Sequence, residues 1–326
     1  MKRRHLVVVA AGSGLGLPAL SLAQSRWPDR PIRMIVPFPA GGGTDAWARM
    51  VAEPLGQELG QPIVVENRSG GSGMIGTDAA AKAPPDGYTL LMNITTHVQS
   101  PVVLRRFPYD PLNDFAFIGR LGTTAITFNI GPAVQAQIGS LAEFVAWAKG
   151  RPLAFGNYGQ GTTGHAFAML LAQEAGLDVT HVAYRGEGTM VPDFLAGSFH
   201  GGFNSTLAAG ELFKAGRLRP LATGGPDRVP SMKDRVPTLI ELGYSQRFNF
   251  SGFTGLFAPA RTPPEVLDRL VPAFRKVVTA PDFVARLVAT DTIPGYEDPR
   301  TFRASTERVM RQWEEMARTL DLFATS

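Results

Sequence analysis

The sequence predicts an α/β protein built from two domains that are joined by two chain crossings. The first observation is size, because 326 residues with 44% hydrophobic and 18% charged side chains suggest two globular domains. The second is that apolar runs alternate with helical patterns, and the alternation restarts midway along the chain. The third is a pair of extended segments at residues 125–130 and 248–253, where we expect the chain to cross between domains.

The first residues predict a signal peptide. A basic start at residues 2–4 precedes an apolar run over residues 6–22, and a small-x-small cleavage pattern ends at Ala23. We therefore assign residues 1–23 to the signal peptide and expect a soluble product in a bacterial periplasm. Because Arg3 and Arg4 are adjacent, both Sec and twin-arginine export stay open.

The charge of the mature chain argues against nucleic-acid binding. Lysine plus arginine falls from 32 to 29 when residues 2–4 are removed, against 28 acidic residues, which leaves a net charge of about +1. No basic block interleaved with aromatic residues remains. The chain also contains no cysteine, so disulfides, thiol redox chemistry and lipid attachment through an N-terminal cysteine are excluded.

The first domain is predicted from strands that alternate with helices. The expected strands are residues 32–37, 63–66 and 88–92, and the helices between them are residues 45–53 and 74–82. Pro54 suits the first position of a second helical piece. A turn at residues 84–87, of sequence PPDG, precedes the third strand. Because strands that alternate with helices usually run parallel, we expect a largely parallel sheet covered on both faces.

The second domain repeats this alternation. The expected helices are residues 141–149, 163–175, 189–196 and 207–215, and the expected strands are residues 153–155, 179–183 and 218–223. A last section contains a strand at residues 252–257 and helices at residues 264–278 and 300–320. We assign residues 24–128 and 251–326 to the first lobe and residues 129–250 to the second.

Three glycine-rich loops follow predicted strands and precede predicted helices. They start at Gly41, Gly71 and Gly159, and each has the spacing G-x-G-x-x-[GA]. The first is followed by Glu66 at the end of the next strand, which is the context of a dinucleotide-binding fingerprint. However, one dinucleotide uses one such loop, and a strand end before a helix N-terminus suits any small anion. Loops in both domains therefore predict an anion held between two lobes.

The anion is expected to be a carboxylate rather than a phosphate. Neither residues 41–46 nor residues 159–165 contain lysine or arginine, and no P-loop lysine follows any of the three loops. The available donors are backbone N–H groups and the hydroxyls of Thr44, Thr162 and Thr163. The loops thus predict a ligand bound without a cationic side chain.

Catalytic and metal-binding motifs are absent from the sequence. It has no G-x-S-x-G elbow, and its five histidines show no metal-ligand spacing. Asp45 is interpreted as a first-turn residue of a helix, with ligand contact as the alternative. For His165, a place in the cleft and a structural role stay equally open. We therefore expect a binding protein without catalysis, metal or cofactor; the alternative is an exported nucleotide-dependent oxidoreductase.

A series of segments occurs in the order found in one transporter family. They are VPFPAGGGTDAWAR, VVENRSGGSGMIGTDAAAKAPPDGYTLLM, FPYDPLNDFAFIG, GQGTTGHAFA, VAYRGEG, DFLAG, GRLRPLAT and VPTLIELGY. They resemble the Bug proteins, the TctC-like periplasmic substrate-binding components of tripartite tricarboxylate transporters, over nearly all of the mature chain. The resemblance implies a type II-like periplasmic binding protein with a Venus-flytrap arrangement and a two-crossing hinge. The implied partners are a small organic acid and inner-membrane permease subunits, and the protein is expected to be a monomer.

The resemblance also implies which residues bind the ligand. On the first wall they are Phe38, Pro39, Ala40, Gly43 and Thr44, followed by Asn93, Thr95 and Thr96, with Asp45 kept as a further candidate. On the second wall they are Asn157, Gly161, Thr162, His165 and Asn204.

Departures from the family pattern bear on the ligand. Serine is frequent in the family where this chain has Asn157 and Thr162, and aspartate is frequent where it has Asn204. Since a bound ammonium group usually needs a carboxylate partner, the neutral Asn204 predicts a mono- or dicarboxylate without an amino group. An orphan binding protein that feeds a signalling partner, rather than a permease, is the remaining alternative.

Overall fold

The computed structural model of the protein describes residues 27–104 and 108–323. The expected signal peptide at residues 1–23, with its cleavage site near Ala23, lies outside the described residues. The described chain forms two sheets with helices packed around them, and the predicted two-lobed α/β fold is confirmed. No helix in these stretches is long and apolar enough to cross a membrane.

Strands and helices follow one another largely as the sequence pattern predicts. The strands, labelled β1 to β11 in chain order, are Ile32–Val36, Ile63–Asn67, Thr89–Ile94, Phe115–Thr124, Ile126–Ile130, Leu153–Asn157, Val179–Ala183, Gly201–Ser205, Arg219–Gly224, Thr254–Pro259 and Thr292–Glu297. The helices, labelled α1 to α10, are Gly43–Leu59, Met74–Ala81, Thr96–Leu104, Leu141–Ala148, Thr163–Ala175, Glu187–Leu195, Thr206–Lys214, Pro264–Val278, Pro281–Ala289 and Pro299–Thr319.

Both sheets are mixed. The first has the strand order β11-β4-β10-β3-β1-β2, in which β1 is parallel to β2 and β3, whereas β10 is antiparallel to β3 and β4. The second has the order β7-β6-β8-β5-β9, in which β5 is antiparallel to β8 and β9. The expectation of a largely parallel sheet is therefore wrong, because the strands beside each crossing run against their neighbours.

Two crossings connect the sheets. At Ala125 the chain passes directly from β4 of the first sheet to β5 of the second, and over residues 250–253 it returns to β10. The expected lobe boundary after residue 128 falls inside β5, all of which pairs with β8. An extended pattern in the sequence shows where a strand lies but does not show which sheet it joins.

Helix α1 brings the first glycine loop to the carboxyl end of β1. The helix begins at Gly43 and runs through Pro54 to Leu59, so the expected second helical piece is part of the same helix. Trp47, Val51 and Leu55 are buried at helical spacing against the first sheet. This apolar face stabilises the helix across the proline, which lacks the N–H that would continue the hydrogen-bond ladder.

The C-terminal helix α10 packs against the cores of both lobes. Phe302, near its start, is buried against Phe257 of β10. Trp313, near its end, is fully buried with its ring centroid 5.4 Å from that of Phe250, in a core cluster that includes Phe128 of the second sheet. The helix, which the sequence assigned to the first lobe, therefore connects the lobes a third time, by packing rather than by a chain crossing.

Candidate functional site

A cavity lies between the two sheets, and both lobes and both crossings line it. The first lobe contributes four of the residues implied by the resemblance and several that were not expected. The four are Phe38, Gly43, Thr44 and Thr95, and the unexpected ones include Trp47 and Gln99. The second lobe and the crossings contribute Thr124, Tyr158, Thr163, Glu187, Ser205, Gly225, Asp227, Phe250, Ser251, Phe253 and Thr254, among others. Ligand-sized space therefore occurs where the fold predicts a cleft.

Asp45 holds the first glycine loop in shape and does not line the cavity. It is 4% exposed, and its Oδ2 accepts hydrogen bonds from the N–H of Gly41 at 3.1 Å and from Arg49 Nε at 3.0 Å. Its Oδ1 accepts from Asn67 Nδ2 at 3.0 Å. Burial alone would raise the pKa of Asp45, but these hydrogen bonds and the charge of Arg49 outweigh it and hold the pKa below its usual value.

Pro39 and Ala40 lie outside the cavity lining, where the first loop approaches the second lobe. A side chain built on Gly186 would come within 2.7 Å of Pro39 Cδ, and one built on Gly188 would meet the carbonyl oxygen of Ala40. Gly186 has φ of 155°, and these glycines permit the close approach. Pro39 and Ala40 thus form a contact between the lobes.

At the end of β3, one of three predicted residues reaches the cavity. Asn93 is fully buried and donates to Thr77 Oγ1 at 3.0 Å, while its Oδ1 accepts from Thr96 Oγ1 at 3.2 Å. Asn93 and Thr96 therefore fasten the strand end to helices α2 and α3. Thr95 lines the cavity, and its Oγ1 accepts the N–H of Phe253 at 2.8 Å, so it also supports the second crossing.

In the second lobe, the predicted residues of the loop before α5 form an N-terminal cap, whereas their neighbours Tyr158 and Thr163 line the cavity. Thr162 accepts the N–H of His165 at 3.3 Å and donates to the carbonyl of Gly159 at 2.8 Å. The N–H of Gly161 donates to His165 Nδ1 at 3.1 Å. Burial and the neighbouring His181 ring lower the pKa of His165 to about 4, so the ring is neutral at pH 7.

Asn157 and Asn204 are buried behind the lining. Asn157 Oδ1 accepts the N–H of Gly159 at 3.2 Å, and its Nδ2 has no partner among the described residues. Asn204 is fully buried; its Oδ1 accepts from Asn129 Nδ2 at 3.3 Å, and its Nδ2 lies 3.9 Å from Met190 Sδ. The side chain of Asn204 is therefore engaged within the second lobe.

Glu187 is the main cavity residue that sequence reasoning missed. It begins α6, and its Oε2 accepts hydrogen bonds from the hydroxyl of Ser205 at 2.8 Å and from the N–H of Gly43 at 3.2 Å. Its Oε1 accepts the N–H of Ser205. A carboxylate of the second lobe therefore binds the N-terminus of α1 in the first lobe.

The sequence carried a signal for Glu187 but little signal that residues of the two crossings line the cavity. In the segment VAYRGEG, an acid stands between Gly186 and Gly188 just after β7, and glycines at a strand end often bring the backbone close to another group. Thr124, Ser251 and Thr254 lie in or beside the crossings. Their place in the lining depends on how the two lobes face each other, which no local pattern encodes.

The charged side chains that line the cavity are acidic. Glu187 lies deep between the lobes, and burial raises its pKa, although the hydrogen bonds from Ser205 and Gly43 oppose the rise. Asp227 is an exposed acid at the rim. None of the lining residues that the structure describes is lysine, arginine or histidine. Over residues 27–104 and 108–323, no group of three or more acidic or histidine side chains is arranged to hold a metal ion.

Sequence comparison shows what the chain is similar to. The family model described as "Tripartite tricarboxylate transporter family receptor" matches residues 47–322. A protein of Pseudomonas sp. (strain P51), named "UPF0065 protein in tcbD-tcbE intergenic region", is 34% identical over 317 residues, which cover 94% of this chain and 92% of the relative.

Two solved structures share the whole fold. The periplasmic binding protein BugD is 28% identical with a TM-score of 0.86, and the match covers 92% of this chain and 100% of BugD. A protein of R. palustris solved with adipate is 30% identical with a TM-score of 0.86, and the match covers 90% of this chain and 98% of that one. The resemblance to the Bug proteins is confirmed, and the chain belongs to the tripartite tricarboxylate transporter receptor family.

Proposed function

We propose that this chain is a periplasmic receptor that captures a small organic carboxylate between its two lobes. The observation that carries the proposal is the cavity between the sheets, where the N-terminus of α1 and hydroxyl groups from both lobes are gathered. Such donors suit a carboxylate. The adipate-bound relative of R. palustris supports the same class of ligand.

The donors are sufficient for binding without a cationic side chain. A hydrogen bond to a charged group contributes about 1.5–3 kcal/mol, and micromolar affinity corresponds to about 8 kcal/mol. Because association also costs entropy, several such bonds from the two walls have to act together with burial of the ligand's apolar part to reach that value. We infer that Phe38, Gly43, Thr44 and Thr95 form the first wall of the site. The other residues implied by the family resemblance do not line the cavity, and we infer that they support the residues that do.

The proposal also covers where the ligand is delivered and where the protein is located. The receptor would pass its ligand unchanged, without catalysis, to inner-membrane permease subunits of a tripartite tricarboxylate transporter. We infer export through residues 1–23, cleavage near Ala23 and a monomeric mature protein. The comparisons give no support to the oxidoreductase alternative. An orphan binder that feeds a signalling partner would use the same cavity and differ only in its partner.

Calorimetric titration tests the proposal. Protein purified from the periplasm, with an intact mass that places its N-terminus close to Gln24, is titrated with a panel of small carboxylates and with inorganic phosphate as control. We expect micromolar binding of at least one carboxylate and no binding of phosphate. A panel in which nothing binds at millimolar concentration would refute the proposed function.

A further inference from the structure

Glu187 occupies the donor that an incoming anion would be expected to use. The N–H of Gly43, at the start of α1, points to Glu187 Oε2 at 3.2 Å. The hydroxyl of Ser205 donates to the same oxygen at 2.8 Å. The protein's own carboxylate thus takes one of the N–H donors at the start of α1, and a ligand carboxylate has to use the other donors of the cavity.

Glu187 still has room for one further donor. A carboxylate offers about four acceptor positions, and the N–H of Gly43 with the N–H and hydroxyl of Ser205 take three of them. The side chain lines the cavity and is partly exposed to it. A hydrogen-bond donor on a ligand therefore finds an acceptor here, and a positively charged donor would stabilise the Glu187 carboxylate in its ionised form.

The charges of the lining favour a ligand with a positive group. Glu187 and Asp227 are acidic, and lysine, arginine and histidine do not occur among the described lining residues. A dicarboxylate would bring two more negative charges into a cavity with no cation, and like charges repel strongly where water is excluded. A carboxylate that also carries a cationic nitrogen brings no net charge.

Aromatic rings add to the same preference. The lining includes Phe38, Trp47, Tyr158, Phe250 and Phe253. The face of an aromatic ring attracts a cation, most strongly when both are removed from water. An anionic ligand would gain nothing comparable from these rings.

A separate group is available for the carboxylate of such a ligand. Thr254 is 1% exposed, lines the cavity, and its Oγ1 has no hydrogen-bond partner among the described residues. A buried hydroxyl without a partner is unfavourable, so a ligand oxygen that accepts from it stabilises the complex. The cavity thus offers an acceptor at Glu187 and a hydroxyl donor at Thr254.

We propose that Glu187 is a specificity-determining residue, and that the cavity takes small carboxylic acids carrying a positively charged nitrogen in preference to dicarboxylates. The inference rests on the proposed function, because it names a subclass of carboxylate for the same site. It replaces the sequence-based expectation of a ligand without an amino group. That expectation depended on Asn204, which lies behind the lining, whereas Glu187 lies in it.

The test is calorimetry with ligands matched in length. The wild-type protein is titrated with glutarate, with 4-aminobutyrate and with 4-(trimethylammonio)butyrate, and then with 4-methylpentanoate against leucine. We expect a nitrogen-bearing member to bind about tenfold or more tightly than its matched acid. The trimethylammonium compound has no N–H, so its binding shows whether the nitrogen is held by a hydrogen bond or by charge and aromatic contact alone.

Glu187→Gln tests the residue itself. It should weaken the nitrogen-bearing ligand about tenfold or more and leave glutarate unchanged or tighter. Glu211→Gln is the matched control, since it removes one carboxylate from α7 at a side chain that is 87% exposed, and it should alter neither affinity. If Glu187→Gln does not fold, as judged by circular dichroism, the wild-type comparison of matched ligands decides.

The possible outcomes distinguish failure of this inference from failure of the proposed function on which it rests. If dicarboxylates bind more tightly than their matched partners, the inference fails and the proposed function stands. If Glu187→Gln weakens every ligand equally, Glu187 only joins the lobes, and the inference fails. If no ligand of either class binds, both fail.

Discussion

Gly43 marks a close approach of one lobe to the other. A side chain built there would lie 2.9 Å from Ser205 Oγ and 3.2 Å from Glu187 Oε2. Because Gly43 begins a regular helix, its requirement for glycine comes from the lack of space rather than from an unusual backbone conformation. Gly43 therefore matters to the site because its lack of a side chain leaves room for Ser205 and Glu187.

Gly43→Val should weaken ligand binding by about tenfold or more, because overpacking of a closed contact costs about 1–3 kcal/mol. Calorimetry with the carboxylate that binds wild type most tightly measures the change. Gly210→Val is the control, since a side chain on Gly210 meets nothing within 4 Å, and its affinity should match wild type. Equal affinities for Gly43→Val and wild type would show that this contact is not needed for binding.

The sequence predicted the position of some cavity residues better than that of others. Gly43 and Thr44 were predicted to face the ligand because a strand end, a glycine loop and a helix start form a local pattern, and both line the cavity. Asn204 was expected there as well. Its side chain instead bonds to Asn129 of the neighbouring strand, and which face of a buried strand meets a cavity is decided by the packing of the whole lobe.

At the level of elements, two helices with one buried face were predicted at their observed bounds, whereas other elements, among them α3, α9 and β8, were missed. Helices α5 and α8 have the predicted bounds. Helix α3 was not predicted, because its residues from Thr96 to Val103 are all buried and leave no amphipathic period to detect. Strand β8, of sequence GGFNS, was missed because glycine is unfavourable in strands.

Helix α10 carries the next prediction, at Trp313. This side chain is fully buried, and its Nε1 has no partner among the described residues, so its contribution is packing rather than hydrogen bonding. Trp313→Ala should lower the free energy of unfolding by about 3–5 kcal/mol. Trp313→Phe should cost less than Trp313→Ala, because it keeps a ring against Phe250 and leaves a smaller cavity. Urea denaturation measures both, and equal losses would contradict the packing role.

For the whole molecule, contacts between the lobes identify the described state as closed. The Gly186 loop of the second lobe packs on Pro39 of the first, and Glu187 bonds to Gly43 across the same boundary. Since these contacts join the two walls of the cavity, separation of the lobes would widen the entrance for a ligand. The two crossings, at Ala125 and at residues 250–253, are where such a hinge rotation would occur.

Small-angle X-ray scattering should therefore give a smaller radius of gyration with the bound carboxylate than without it. A ligand that contacts both walls would bind the closed state more tightly than the open one. Inorganic phosphate at the same concentration is the control and should leave the scattering curve unchanged. Superimposable curves with and without saturating carboxylate would argue against closure on binding.

The position of α10 has a consequence for how the molecule can be divided. Trp313 and Ala317 of the helix, with Leu320 and Leu322 just after it, belong to the same apolar cluster as Phe128 and other side chains of the second sheet. Part of the second lobe's core is therefore supplied by residues far from it in sequence. Residues 126–250 expressed alone would lack these side chains and would expose apolar surface that the intact chain covers.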